Sequence, residues 1–482
     1  MSKETFVLEV FARSGCSADD STLNLWIHST LHVRLPRKIR LRIRCNSLTP
    51  SNNPMLATLV IVFIIAYVAI VLEHPLKINK SASALAGAGL LWTLYAIFSG
   101  DHQKVSHELS ESLVGTAQIV FFLMGAMTIV EVIDAHNGFR VVTSRIKTTR
   151  LPILVIVVSL VSFFLSAILD NLTTAIVMVS LMRKLLANRE ERLLFAGLIV
   201  IAANAGGAWS PIGDVTTTML WIGGQITPVN IISGVFIPSV VNLLVPMSIM
   251  IFMLRGKKVE KPASNPENNF ELATSNERNL VFFLGLGVLV AVPIFKAVTH
   301  LPPFMGVLFG LGILWLVSDL LHKNKPDEEK NQLTLTHALT RIDLSSIVFF
   351  IGILLAVAAL EHAHILKMLS QWLDNTLGRQ DLIVVLIGFV SAIVDNVPLV
   401  AAAMGMYSIE QYPADSFLWE FLAYCAGTGG SILIIGSAAG VAVMGLEKMD
   451  FIWYLKKISL LATVGYLAGA AVYILQFNLL NG

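Results

Sequence analysis

The stretch SAILDNLTT at residues 166–174 returns as SAIVDNVPL at residues 391–399, matched at Ser, Ala, Ile, Asp and Asn. Each copy lies inside an apolar run, so each places a carboxylate, Asp170 or Asp395, near the middle of a bilayer-sized segment. A charge at that depth costs roughly 2.5 kcal/mol or more on insertion scales, which makes such a residue a marker of an ion or proton path. The two Asp are 225 residues apart (395 − 170), and further landmarks recur at nearly that distance. IVFF occurs at 119–122 and 347–350 with Glu131 and Glu361 behind it, and Gly206-Gly207 with Gly213 recurs as Gly429-Gly430 with Gly436. Landmarks kept in one order at one offset describe two homologous halves, 55–254 and 279–482, joined by a cytoplasmic linker at 255–278.

Composition names the solvent for this arrangement. Of 482 residues, 55% are hydrophobic and 14% charged, and apolar runs of bilayer length recur along the chain. A soluble protein of this size has nowhere to hide so much apolar surface, so the lipid bilayer is its expected partner. The net charge of +2 carries little meaning in such a chain, and nucleic acid is not an implied partner. Cys16, Cys45 and Cys425 lack metal-ligand spacing and read as free thiols. Residues 1–54 differ from the rest: Arg34, Arg37, Lys38, Arg40, Arg42 and Arg44 make them basic, Glu4, Glu9, Asp19 and Asp20 interleave acids, and no continuous apolar region is present. That pattern argues against a signal or transit peptide and for a disordered basic extension outside the transport unit.

Three apolar spans depart from simple helices. The span 151–186 is too long for one crossing, 192–222 contains Gly206-Gly207, Pro211 and Gly213-Asp214, and 381–407 contains Asp395-Asn396 followed by Pro398. Unwound backbone inside a bilayer persists only where protein or a watery cavity satisfies it, so these breaks are where a binding site is expected. If each Asp-Asn segment is a hairpin that enters and leaves on one side, the loops at 134–150, 183–192, 255–278 and 322–343 share a side. Lys77, Lys80, Lys448, Lys456 and Lys457 join them there, and only Lys104, Lys296, Lys367 and Arg379 fall opposite. Single crossings would spread the same charges almost evenly, so the positive-inside rule selects hairpins and makes the basic loops cytoplasmic. Each half then crosses an odd number of times, which inverts one half relative to the other. The expected fold is an all-α polytopic membrane protein of two inverted-topology repeats with re-entrant hairpins and discontinuous helices. This topology leaves the basic arm at 1–54 on the outer side, against the same rule.

The residues at the breaks suggest the cargo. Asp170, Asn171, Thr173 and Thr174 crowd the first tip, with Ser166 before them, and Ser391, Asp395 and Asn396 the second. Carboxylate, amide and hydroxyl oxygens suit a small hard cation such as Na⁺, and a carboxylate can hold a proton instead. Two carboxylates deprived of water hold protons readily, and an arriving cation expels them, which is the basis of exchange. Asp214, with Asn204 before it and Thr216 and Thr217 after it, is a third candidate at the first broken helix. Ser437 takes its place in the second half, with Thr428 and Ser431 nearby as neutral oxygens. The plainer reading is that these Asp only cap the helices that follow, yet Asn or Ser would cap without the cost of charge. Glu131 and Glu361 are secondary candidates near helix ends, and His136, His362 and His364 are either pH sensors or ordinary interfacial histidines.

With paired Asp-Asn tips and paired Gly-Gly breaks, the chain resembles the NhaD family of Na⁺/H⁺ antiporters in the ion transporter superfamily. SAILDNLTT, SAIVDNVPL and NAGGAWSPIGDVTT at 204–217 carry the likeness, which covers the chain from Met55 onward. The resemblance implies inverted repeats, an elevator-like motion and a homodimer. It implies functional roles for Asp170, Asn171, Asn204, Asp214, Thr216, Thr217, Ser391, Asp395, Asn396 and Ser431. The expected protein is therefore not an enzyme and needs no cofactor, its substrates being Na⁺ or Li⁺ and H⁺. A bacterial inner membrane is expected, with an organellar membrane as the other setting. Two rivals are weighed. A dicarboxylate or arsenite carrier of the same superfamily would meet two Asp where its anion binds, and an intramembrane aspartyl protease would need a G-x-G-D signature that is missing.

Overall fold

The computed structural model describes residues 54–144, 146, 148, 150–259 and 273–481; the arm before Pro54 and the middle of the 255–278 linker lie outside the described residues. The described residues from Thr58 onward form one compact unit. The chain is helical: α1 (Pro54–Val71), α2 (Lys80–Ser99) and α3 (His102–Ala135) come first. A close pair, α4 (Leu151–Leu169) and α5 (Asn171–Leu185), precedes α6 (Arg189–Ala208), α7 (Val215–Ile222) and α8 (Pro228–Met253). The order then recurs. Long helices α9 (Ser275–Thr299), α10 (Pro303–His322) and α11 (Leu344–His362) lead through α12 (Ile365–Leu377) to the pair α13 (Gln380–Ser391) and α14 (Asn396–Met406), and then to α15 (Phe417–Gly429), α16 (Ala438–Glu447) and α17 (Ser459–Asn481). Shorter helices join some of these.

Among the described residues, 10 helices are long and apolar enough to cross a bilayer. This makes the chain an integral multi-pass membrane protein. Burial divides the helices by task. On α6 nearly every residue from Leu193 to Ala208 is buried, and on α15 the same holds from Leu418 to Gly429. By contrast α1, α9 and α10 turn Ile65, Phe283, Ile294, Phe309 and Leu316 outward, as lipid-facing helices do. Polar side chains start the helices: Asn79, Asp101 and Asn188 cap α2, α3 and α6, and Thr274 with Glu277 forms a capping box on α9. The helix α3 has 34 residues and so runs about 51 Å, beyond a bilayer core. The apolar span at 113–133 is only its inner part, since His102, Lys104, His107 and Glu108 extend it outward.

Contacts at the helix ends decide how the two pairs run. Arg150, before α4, bridges to Lys258, and Leu151 donates its N–H to the Lys257 carbonyl at 3.3 Å. At the far end of α5, the carbonyls of Leu186 and Ala187 accept from Arg192, while Glu191 lies 4.0 Å from Lys257. Both ends of α4–α5 therefore meet the segment after α8, and the pair is a hairpin. The second pair behaves likewise: Asp374, before α13, accepts from the Tyr407 hydroxyl after α14 at 3.3 Å. Tyr407 leads to Asp415, which accepts from Thr227 and Asn230 at the start of α8. The two hairpins thus open toward opposite ends of α8. The loops expected to share a side do so: Arg341 pairs with Glu131 and Asp134, Lys325 with Glu277, and Arg183 and Arg192 with Glu447.

The paired glycines have a different task from the one their sequence suggested. Gly206 and Gly207 lie within α6, and the helix stops only after Ala208. A Cβ on Gly206 would run into the carbonyl of Phe163 on α4, and one on Gly429 into the carbonyl of Gly388 on α13. These glycines bring each broken helix into backbone contact with its hairpin, and they do not unwind it. In the first half the backbone is broken further on, at residues 209–214, whereas in the second the break at 430–437 starts at Gly430 itself.

Candidate functional site

The hairpin tips and the helix breaks converge on a buried polar network. The chain from α6 to α7 is turned by Ser210-Pro211, and Asp214 then caps α7, accepting from the Thr216 N–H and hydroxyl at 2.9 Å each. Asn171, the first residue of α5, donates to the same carboxylate at 2.8 Å and to the Asn204 side-chain amide oxygen Oδ1 at 3.0 Å. Asn396, the first residue of α14, reaches the Asp214 carboxylate at 3.4 Å. Asn204 in turn donates to the Ser431 and Ser437 hydroxyls at 2.9 and 3.0 Å. Asp214 is 2% exposed, and Asn171, Asn204, Asn396, Ser431 and Ser437 are buried with it. One carboxylate is thereby tied to both hairpins and to both broken helices.

The two tip carboxylates stand at the edge of this network. Asp170 is held by the Thr173 N–H at 2.7 Å and hydroxyl at 2.9 Å, and both residues are half-buried. Its φ of 96° with ψ of 159° belongs to a region that side chains other than hydrogen rarely adopt, and this single residue turns α4 into α5. Asp395 has an ordinary φ of −46°, accepts from the Val397 N–H at 3.4 Å, and is 3.3 Å from the Lys80 ammonium. Among the described residues no hydrogen bond joins Asp170 to Asp395. A cavity of about 340 Å³ meets the second tip at Asp395 and the first hairpin at Leu172, its wall including Tyr67, Glu73, Lys80 and Asp343. It opens where Asp343 and Ser345 are exposed, on the face that carries Arg341.

The remaining sequence candidates divide clearly. Ser166 and Ser391 make matched bonds, to the Ala203 carbonyl at 2.6 Å and the Ala426 carbonyl at 2.8 Å, and so fasten each hairpin to its broken helix. Thr428 spends its hydrogen on the Tyr424 carbonyl. The Thr174 and Thr217 hydroxyls are buried without a hydrogen-bond partner among the described residues, which leaves their oxygens available to a cation. Glu131 pairs with Arg341 at 3.2 Å and Glu361 lies by Gly405 at the opposite end, so neither joins the network. His136 is buried with its ring 5.0 Å from that of His322, and burial pushes it down to about 4. His362 meets Ser112 and Glu108, and His364 sits at the start of α12. Sequence reasoning missed the Lys80–Asp395 pair. Its only signal was a lysine at the edge of an apolar span, which the charge count absorbed as a loop residue.

Comparison with known proteins places the chain among transporters. A protein-family model described as Citrate transporter matches residues 61–427. The "Sodium/proton antiporter 1" of Arabidopsis thaliana is 49% identical over 419 residues, covering 87% of this chain and 72% of that protein. The "Sodium/proton antiporter 2" of the same plant is 46% identical over 420 residues, with 87% and 99% covered. The "Na(+)/H(+) antiporter NhaD" of Alkalimonas amylolytica is 32% identical over 443 residues, with 86% and 89% covered.

Proposed function

The chain belongs to the NhaD-type Na⁺/H⁺ antiporters, within the family whose model is described as Citrate transporter, and from that premise we propose that it exchanges Na⁺ for H⁺ across a membrane. The observation that carries the reading is the buried carboxylate of Asp214, gripped from both hairpins and flanked by the two tip carboxylates. The halves 55–254 and 279–482 act as inverted repeats, which fits hairpins opening toward opposite ends of α8. Na⁺ arrives through the cavity on the basic, cytoplasmic face and takes oxygens from Asp214, Asp395 and neighbouring amides and hydroxyls. The same carboxylates carry protons when Na⁺ is absent, so each species occupies the site at the other's expense. If Asp170 and Asp395 each lose a proton for one Na⁺, transport moves net charge, and this is the stoichiometry we propose. Li⁺ shares the size and hardness that the oxygens select. A homodimer in a bacterial inner or organellar membrane is the setting the resemblance supports.

An anion carrier is the rival that the family description raises, but a buried, donor-saturated carboxylate repels an anion. The test is purified protein in liposomes with an imposed pH gradient. Na⁺ is expected to collapse the gradient and citrate to leave it intact. Uptake of citrate without Na⁺-dependent proton movement overturns the proposal. Asp214→Asn is expected to weaken Na⁺ dependence roughly 100-fold, the equivalent of about 3 kcal/mol of charge-assisted contact.

A further inference from the structure

Three carboxylates surround the candidate site, and their partners differ in kind. Asp214 accepts from Asn171, Asn396 and Thr216, and Asp170 from Thr173, all neutral donors. Asp395 alone of the three faces a cation, the Lys80 ammonium at 3.3 Å, and otherwise only the Val397 N–H at 3.4 Å. The side chains of Lys80 and Asp395 are 23% and 16% exposed, both toward the cavity. The wall also holds the apolar Ile70, Val71, Ile393 and Val441, with the hydroxyls of Tyr67, Ser345 and Ser346, and among its described residues Lys80 is the one cation.

The placement of Lys80 is built, not incidental. It is the first residue of α2, and the residues on either side are fastened to the start of α11: Asn79 donates to the Ser345 hydroxyl at 3.1 Å, and the Ser81 hydroxyl to the Ser345 carbonyl at 2.7 Å. The Lys80 N–H donates to Glu73 at 3.2 Å, and its ammonium lies 4.4 Å from the centroid of Phe349 on α11. A lysine held this way is a point charge on a flexible stem with two further carboxylates, Glu73 and Asp343, on the same cavity wall.

We propose that Lys80 is a resident competing cation, a positioning residue that occupies Asp395 until Na⁺ displaces it. The inference rests on the exchange reading and adds how the site is kept for its cargo. After Asp395 has lost its proton and before Na⁺ binds, the ammonium neutralises it. Na⁺ arriving from the basic face takes the carboxylate, and the released ammonium swings to Glu73 or Asp343. Because Na⁺ must displace Lys80, the lysine lowers apparent Na⁺ affinity and excludes cations that bind Asp395 more weakly than it does.

The experiment measures Na⁺ dependence in Lys80→Gln and Lys80→Arg alongside wild type. With the competitor removed, Lys80→Gln is expected to show a KM for Na⁺ about three- to fivefold lower, the size of a partly exposed ion pair. Its rate at saturating Na⁺ should not rise, and Lys80→Arg, which keeps the competing charge and can pair with the carboxylate through two bonds, should not share the fall in KM. A KM in Lys80→Gln equal to or above wild type overturns the inference. Glu73→Gln combined with Asp343→Asn removes both alternative acceptors and is expected to raise KM; an unchanged KM there overturns it too, should Lys80→Gln fail to insert. Wild-type vesicles without Na⁺-driven proton movement overturn the exchange reading instead. Competition at Asp395 is then judged by the Na⁺ concentration that half-saturates thermal stabilisation of purified protein, where equal values for wild type and Lys80→Gln overturn the inference.

Discussion

The two hairpin tips carry the same Asp-Asn pair and have solved its cost in opposite ways. At the first tip the turn is made in one residue, with Asp170 held at positive φ and its carboxylate folded back onto Thr173. At the second, residues 392–395 share the turn, Asp395 keeps relaxed backbone angles, and its charge is met across a cavity by Lys80. The first tip is self-contained and strained, while the second is relaxed but depends on another helix. Sequence repetition therefore conserves the chemistry of a tip without fixing its local geometry. A carboxylate answered by neutral donors gives a charged site that cation binding can neutralise, whereas one answered by an ammonium is already neutral and must be opened.

The comparison is broken or sharpened most decisively by topology, where the outcome is all or none. Ala187 and Ser408 follow the first and second hairpins, and both are exposed. In a cysteine-free background, Ser408→Cys is expected to react with a membrane-impermeant thiol reagent in intact cells and Ala187→Cys only after permeabilisation. Equal labelling would place both hairpins on one side and end the comparison.

Loss of charge at the tips is next in size. Asp170→Asn and Asp395→Asn should each abolish Na⁺-driven proton movement measured with the membrane potential clamped, since both carboxylates carry protons in the proposed cycle. Their stabilities should differ. Asn has the shape of Asp and keeps a capping oxygen, so Asp170→Asn should melt within about a degree of wild type. Asp395→Asn leaves the Lys80 ammonium without its carboxylate and should melt a few degrees lower, with Lys80→Gln restoring the loss in the double variant. Equal melting of the two Asn variants would show that the tips are alike after all.

The smallest effect isolates the self-contained tip. Thr173→Val removes the hydroxyl that donates to Asp170 at 2.9 Å and keeps the shape, and should cost about 1 kcal/mol of stability in denaturant titration. Val397 contributes only a backbone N–H to Asp395, so Val397→Ala should leave the second tip's electrostatics unchanged.

The sequence by itself determined the solvent, the helical class, the two hairpins and the candidate oxygens at their tips. It did so because each is a local property: an apolar run must be helical in lipid, a carboxylate in such a run must have a purpose, and a biased charge count permits one arrangement of loops. It also singled out Asp214, Asn204 and Ser431 as candidates at the two helix breaks. Only the tertiary structure decided that Asp214 is the hub, that Gly206 and Gly429 serve close approach and not unwinding, and that Lys80 belongs to Asp395. These depend on contacts between separate helices, from Gly206 with Phe163 to Lys80 with Asp395, whose residues lie far apart in the chain. No local pattern encodes which donor will face which carboxylate once the hairpins and broken helices are packed.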